Sequence, residues 1–177
     1  SGVMDPPYTR QYIGTIPYWY LVQQLSQWGL TWPLAIICWA GLVWGLVRFG
    51  LGRASAATAV LLAWGVPYFM VTGAFHTKFL RYMAPLLPFL LVFGAVFAVR
   101  VLRWLVARWG SRGRWVWAGV ALGTALVAVL WSFAFTNVYR QEHPWIDASL
   151  WIYRNVPEGS KIISEEWDDA LPLTMDE

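Results

Sequence analysis

Three cationic or titratable side chains, His76, Lys78 and Arg81, crowd into the stretch Gly73-Ala-Phe-His-Thr-Lys-Phe-Leu-Arg-Tyr-Met-Ala-Pro-Leu-Leu-Pro88, between two long apolar runs. Charge at the edge of an apolar run is costly unless it snorkels to water or finds a partner. An anion such as a lipid phosphate would satisfy all three groups. Plain snorkelling to headgroups would do the same, and spacing alone leaves the two readings level. Lys78 and Arg81 are three apart and are expected to share one helix face, where Arg offers a planar fork and Lys a point charge. His76 could be imagined as an axial ligand to haem or a chlorophyll, but it lies in a loop and no second His faces it. His143, before Pro144, reads as a surface residue.

Other chemistries find less support. Glu165, Glu166, Asp168 and Asp169 offer hard oxygens for a divalent cation, yet they lack the ordered spacing and turn glycine of a calcium loop and read as a solvated acidic loop. The one cysteine, Cys38, sits inside an apolar run and makes neither a disulfide framework nor a metal site. No nucleophile triad, phosphate-binding glycine loop or zinc spacing occurs in the sequence. Nucleic-acid binding is not expected, because the basic residues are placed as membrane-topology signals.

The elements that must position these residues are apolar helices. Of 177 residues, 58% are hydrophobic and 13% charged, where a soluble domain carries about a quarter charged. Four segments approach the roughly 20 apolar residues that a span requires: 32–49, 56–75, 82–99 and 115–135. Backbone polar groups in lipid pair within the segment, so these are helices. The loop after the first span holds Arg48 and Arg53, and the loop after the third holds Arg100, Arg103, Arg108, Arg112 and Arg114, with no acid in either. Short basic loops stay cytoplasmic, which puts both termini outside. Gly41 with Gly45, and Gly119 with Gly123, have the four-residue spacing of close helix packing. Pro33 suits a first helical turn. Pro67, Pro85 and Pro88 lie deeper, and the last two should make the third span irregular.

Ahead of the spans, Tyr18, Leu21, Val22, Leu25 and Trp28 line one face of a helix over 16–28. It is too short and polar to span and is expected to lie on the outer surface or to pack on protein beyond this chain. After them, 144–155 predicts a helix with Ile146, Leu150 and Tyr153 on one side. Pro157-Glu158-Gly159 predicts a turn, and Lys161–Ser164 a short strand, together the start of a small α/β external segment. The expected fold is therefore all-α and membrane-embedded: an external loop with an interfacial helix over 1–29, four spans within 30–135, and an external segment over 136–177 that begins a truncated domain. The chain opens on Ser1 without a signal-peptide pattern, and further residues are expected to precede it.

With these elements in view, Phe75-His-Thr-Lys-Phe-Leu-Arg-Tyr-Met-Ala-Pro-Leu-Leu-Pro88 resembles the Lys/Arg-Tyr-x-x-Pro-x-x-Pro segment of large multi-spanning glycosyltransferases. These are the GT-C class, related to protein O-mannosyltransferases. Tyr8-Thr-Arg-Gln-Tyr-Ile-Gly-Thr-Ile-Pro-Tyr18 looks like the external loop before a late span in bacterial members. Trp151-Ile-Tyr-Arg-Asn-Val-Pro-Glu-Gly-Ser160 with Trp167-Asp-Asp-Ala-Leu-Pro172 is similar to the start of their C-terminal external domain. The resemblance implies transfer of a sugar from a polyprenyl-phosphate carrier to an acceptor outside the bacterial cytoplasmic (inner) membrane. It also implies that Lys78 and Arg81, with His76 and Tyr82, hold the carrier's phosphate. The family's acidic catalytic motif has no counterpart here, since Asp5 is isolated and the C-terminal acids are misplaced. No catalytic residue is expected in this chain, which looks like the late part of such an enzyme, and no cofactor is expected in it, although a complete enzyme could use a divalent metal. Expected partners are membrane lipid, the lipid-linked sugar and the remainder of the protein or other membrane subunits. The alternative is a non-catalytic accessory subunit of a respiratory or photosynthetic complex. A transporter ranks third, because no acid lies within a span.

Overall fold

The structure, a computed structural model, describes residues 7–140, 142–163 and 171–173. Four helical stretches are long and apolar enough to cross a membrane. They make this a multi-pass α-helical membrane protein. The chain divides into two compact units, residues 1–131 and 132–177.

In the first unit, a 3-10 helix over Pro7–Tyr12 leads to α1 (Trp19–Gln24), which continues as a π-helical turn over Leu25–Leu30. The first span, α2 (Trp32–Gly50), has Pro33 in its first turn, where the missing N–H costs nothing. The junction at Thr31 is strained: its φ is 68°, unusual for a β-branched residue, and its hydroxyl is buried with no partner among the described residues. α3 (Ala56–Gly73) starts on Ser55, whose side chain caps the Thr58 N–H, and contains Pro67.

Pro85 makes the entry to the third span irregular as expected, whereas Pro88 lies in a first turn rather than deep in a helix. Leu80–Leu86 is a 3-10 helix containing Pro85, and α4 (Leu87–Trp109) begins with Pro88 in its first turn. Beyond the expected end near Val99, however, α4 runs on through Arg100, Arg103 and Arg108. After Gly110 at φ +58°, α5 (Ser111–Thr136) already contains Arg112 and Arg114. The basic stretch is thus a helical hairpin rather than a loop. Long aliphatic arginine stems are good helix formers once a hydrophobic span has nucleated the helix.

α2 and α4 form the closest helix pair. Gly41 faces the Phe93 carbonyl, Gly45 lies under the Phe93 ring, and Gly94 faces Cys38. Space at these glycines lets the backbones meet. Gly119 and Gly123, in contrast, have nothing within 4 Å of where a side chain would begin. The core gathers Leu21, Leu25, Cys38, Met83, Leu86 and Leu90. Leu21 and Leu25 of the 16–28 segment therefore pack on α2 and the 3-10 helix of its own chain, while Trp28 of the same face stays exposed. Ser26 secures the segment, donating to the Val22 carbonyl at 2.6 Å and accepting from Trp39 Nε1 at 2.9 Å.

In the second unit, α6 (Pro144–Asn155) is capped by His143, whose Nδ1 accepts the Trp145 N–H at 3.3 Å. Asp147 in the first turn and Arg154 in the last complement the helix dipole. Ile146 and Leu150 are half-buried, whereas Tyr153 is largely exposed. The 157–160 turn closes through Ser160 N–H to the Pro157 carbonyl at 3.2 Å. The expected strand does not form. Residues 161–163 have no ladder partner, Ile163 is 97% exposed, and no strand occurs among the described residues; Ser164 lies outside them. The predicted α/β external segment is accordingly overturned. A β-prone tetrapeptide needs a neighbouring strand for its backbone groups. Here residues 171–173 return to α6 instead: Leu173 donates its N–H to Ser149 Oγ at 2.9 Å and accepts from the Tyr153 hydroxyl at 3.0 Å.

Candidate functional site: a buried lysine at the mouth of the third span

The segment between α3 and the 3-10 helix is held from both sides. Near the end of α3, carbonyls lose their helical donors. The Tyr18 hydroxyl donates to one of them, Met70, at 3.1 Å, with its ring laid against Gly73. The Tyr68 hydroxyl donates to the Tyr82 carbonyl at 2.7 Å and ties α3 to the 3-10 helix. Aromatic rings then meet edge to face in series: Tyr20 with Tyr12 at 5.9 Å, Tyr12 with Phe79 at 5.9 Å, and Phe79 with Tyr82 at 5.7 Å.

Lys78 points into this aromatic set and is only 5% exposed. Its ammonium donates to Thr15 Oγ1 at 3.0 Å and to the His76 carbonyl at 3.2 Å, and it lies 5.9 Å from the centre of the Tyr12 ring. Thr15 is free to accept because its own proton goes to the Tyr12 carbonyl at 2.6 Å. An ammonium has three donors. Two are used here, both on neutral acceptors, and no carboxylate meets Lys78 among the described residues. A buried ion without a counter-ion is an expensive arrangement.

Arg81 is exposed. Its guanidinium lies 4.5 Å from the Phe79 ring centre and 5.7 Å from that of Tyr82, with no hydrogen-bonding partner among the described residues. Together with Thr77 it lines an open pocket of about 360 Å³. Tyr12 is the neighbour common to both cations. Burial pushes its phenol above the usual tyrosine range, Tyr20 and Tyr82 push it further, and the Arg81 guanidinium offsets part of the rise.

The four expected site residues are therefore placed differently from one another. Lys78 lies in extended chain before the 3-10 helix and Arg81 within it, so they do not share a helix face. His76 is exposed and contributes its backbone carbonyl. Tyr82 supplies a ring under Arg81. Tyr12, Thr15 and Phe79 complete the site and were not singled out from the sequence. For Tyr12 and Thr15 the available signal is the stretch Tyr8–Tyr18, visible as a unit but with no spacing that links it to Lys78, while Phe79 directly follows Lys78. No group of three or more His, Cys, Asp or Glu gathers among the described residues, and Glu165, Glu166, Asp168 and Asp169 lie outside them.

Deeper along the spans, α2, α3 and α4 enclose a wholly apolar cleft of about 250 Å³, lined by Trp39, Leu42, Leu61, Val66, Phe69 and Phe93 among others. A cation-bearing mouth and an apolar cleft within one multi-pass helical membrane protein can accommodate an amphiphile with an anionic head. Comparison with known protein families, with curated proteins and with solved structures finds no match to this chain.

Proposed function

We propose that this chain is part of an integral-membrane glycosyltransferase of the GT-C type, in which Lys78 and Arg81 hold the phosphate of a polyprenyl-phosphate sugar. The observation that carries this reading is the burial of Lys78 among aromatic rings, with no carboxylate beside it among the described residues, next to an exposed Arg81 that meets only aromatic rings there. A phosphate would supply the missing countercharge: Lys78 offers a fixed point charge and Arg81 a fork free to close on two oxygens. The apolar cleft suits the hydrocarbon chain of the carrier. In transfer, negative charge builds on the departing lipid phosphate, and the two cations would stabilise it there. The acid that activates the acceptor lies elsewhere in the complete enzyme on this reading. Both termini face outward from a bacterial inner membrane, which agrees with the gathering of Arg48 and Arg100 at one end of the α2–α4 pair.

Arg81→Ala in the complete enzyme tests the reading. Turnover of the lipid-linked sugar should fall by about tenfold or more, as expected when a charge-assisted contact worth roughly 1.5–3 kcal/mol is lost. Undiminished turnover would sink the assignment. A second reading, an accessory subunit of a larger membrane complex, draws on the open Gly119 and Gly123 face of α5. Co-purification with pigment or redox subunits would favour it.

A further inference from the structure

The opposite end of the α2–α4 pair carries a second concentration of charge, independent of Lys78. Arg48, in the last turn of α2, and Arg100, on α4, both turn onto the same indole: their guanidinium carbons lie 5.4 Å and 4.4 Å from the centre of the Trp44 ring. They are therefore within about 10 Å of each other. Like charges at this separation repel, and an anion shared between them would relieve the repulsion. The described residues of this unit contain neither Asp nor Glu. Arg48 is partly satisfied, donating to the Arg53 carbonyl at 2.6 Å and lying at the negative end of the α2 dipole. Arg100 has neither help: it sits mid-helix, and among the described residues its guanidinium meets the Trp44 ring without a hydrogen-bonding or ionic partner. Arg53 lies beside Arg48 through the same hydrogen bond. The close approach at Gly41, Gly45 and Gly94 fixes α2 against α4 just above, so the two arginines are presented from a rigid pair of helices.

We propose that Arg48 and Arg100 clamp the phosphate of an anionic phospholipid against the Trp44 indole. A phosphodiester suits the site chemically, because its two non-ester oxygens can each take an N–H pair from a different guanidinium. The lipid source follows from position. Both arginines and the amphipathic indole lie where apolar span gives way to basic helix end, at headgroup depth. Acyl chains would continue along the apolar outer surface of the α2–α4 pair.

Native mass spectrometry of the protein purified from membranes tests this, after equilibration with equimolar phosphatidylglycerol and phosphatidylcholine. Phosphatidylglycerol should be retained preferentially, and the preference should fall roughly fivefold for each arginine changed to glutamine in Arg48→Gln and Arg100→Gln. Arg108→Gln/Arg112→Gln removes the same charge elsewhere and should leave the preference intact. Equal loss in the two double variants would mean diffuse surface charge and overturn the clamp, as would equal retention of both lipids by the unaltered protein. Displacement of phosphatidylglycerol by millimolar inorganic phosphate would reassign the site to a free anion and overturn the lipid assignment. Where Arg48→Gln/Arg100→Gln does not fold, Arg100→Lys preserves charge but not the fork. It should show an intermediate preference, and an unchanged one would also overturn the clamp.

Discussion

Lys78→Met separates a binding lysine from a structural one. Methionine keeps an unbranched, flexible stem and removes the ammonium. If Lys78 belonged to a buried ion pair, deleting one partner would cost about 3–5 kcal/mol, because the other charge would be stranded. Among the described residues no such partner would be stranded. Thr15 Oγ1 keeps its bond to the Tyr12 carbonyl, and the His76 carbonyl belongs to an exposed residue that water can reach. The loss of two charge-assisted hydrogen bonds is opposed by relief of the ion's desolvation, several kcal/mol for a buried ion. The variant without ligand should consequently lie within about 1 kcal/mol of the parent, a Tm change of at most roughly 2–4 °C for a chain of this size. Ligand reverses the picture. A polyprenyl phosphate at a hundred times its Kd stabilises the native state by about 2.7 kcal/mol. Wild type should therefore gain roughly 5–10 °C and Lys78→Met little of it. The assay is thermal unfolding of purified protein in detergent, with and without the lipid phosphate. A fall of more than about 10 °C in the variant without ligand would refute the argument that Lys78 lacks a structural counter-ion. Equal gains for both proteins would remove Lys78 from the phosphate site.

Two further changes probe the frame. Gly41→Ala pushes a methyl group into the Phe93 carbonyl and should destabilise by about 1–3 kcal/mol, whereas Gly119→Ala, with open space around it, should stabilise by about 0.5–1 kcal/mol; chemical denaturation of the two variants compares them, and equal effects would contradict the packing. In a larger assembly, destabilisation at Gly119 instead would favour the accessory-subunit reading. The raised Tyr12 phenol has a definite sign: the folded state resists ionisation more than the unfolded one, so its contribution is complete below the ordinary tyrosine pKa of about 10 and is lost as pH rises through the folded value. The alkaline decline in Tm should therefore be shallower in Tyr12→Phe, and an unchanged decline would show that Tyr12 does not titrate as described.

The spans were legible because hydropathy over eighteen or more residues is a strong signal, and the start of α2 at Trp32 and of α3 at Ala56 fell where expected. Pro85 announced the 3-10 entry to α4, since proline's missing donor is a local property. α6 was legible from its proline start and its apolar side. What could not be read depended on partners distant in sequence. Lys161–Ser164 has the composition of a strand, but composition says nothing about whether a second strand will come. The burial of Lys78 depends on Thr15, 63 residues away, and no spacing rule joins them. The apolar face over 16–28 was visible, yet whether it meets lipid or protein is decided by α2 and Met83. The arginines between 100 and 114 read as a loop because charge signals the end of a membrane span, and a helix can outlast the membrane it crosses.

The glycine contact between α2 and α4 has a consequence for how this protein can vary. The two helices meet because side chains are missing at Gly41 and Gly94, so every substitution at either site adds volume and none subtracts it. A partner made of side chains can answer an enlarged neighbour by shrinking. The Phe93 carbonyl is main chain and has no smaller version. Second-site suppressors of a Gly41 substitution should therefore fail to appear at the position it strikes. Recovery would have to come from shifting a whole helix, and with it both ends of the molecule at once. The mouth around Lys78 and the arginine pair at Trp44 are in this sense heritable only together.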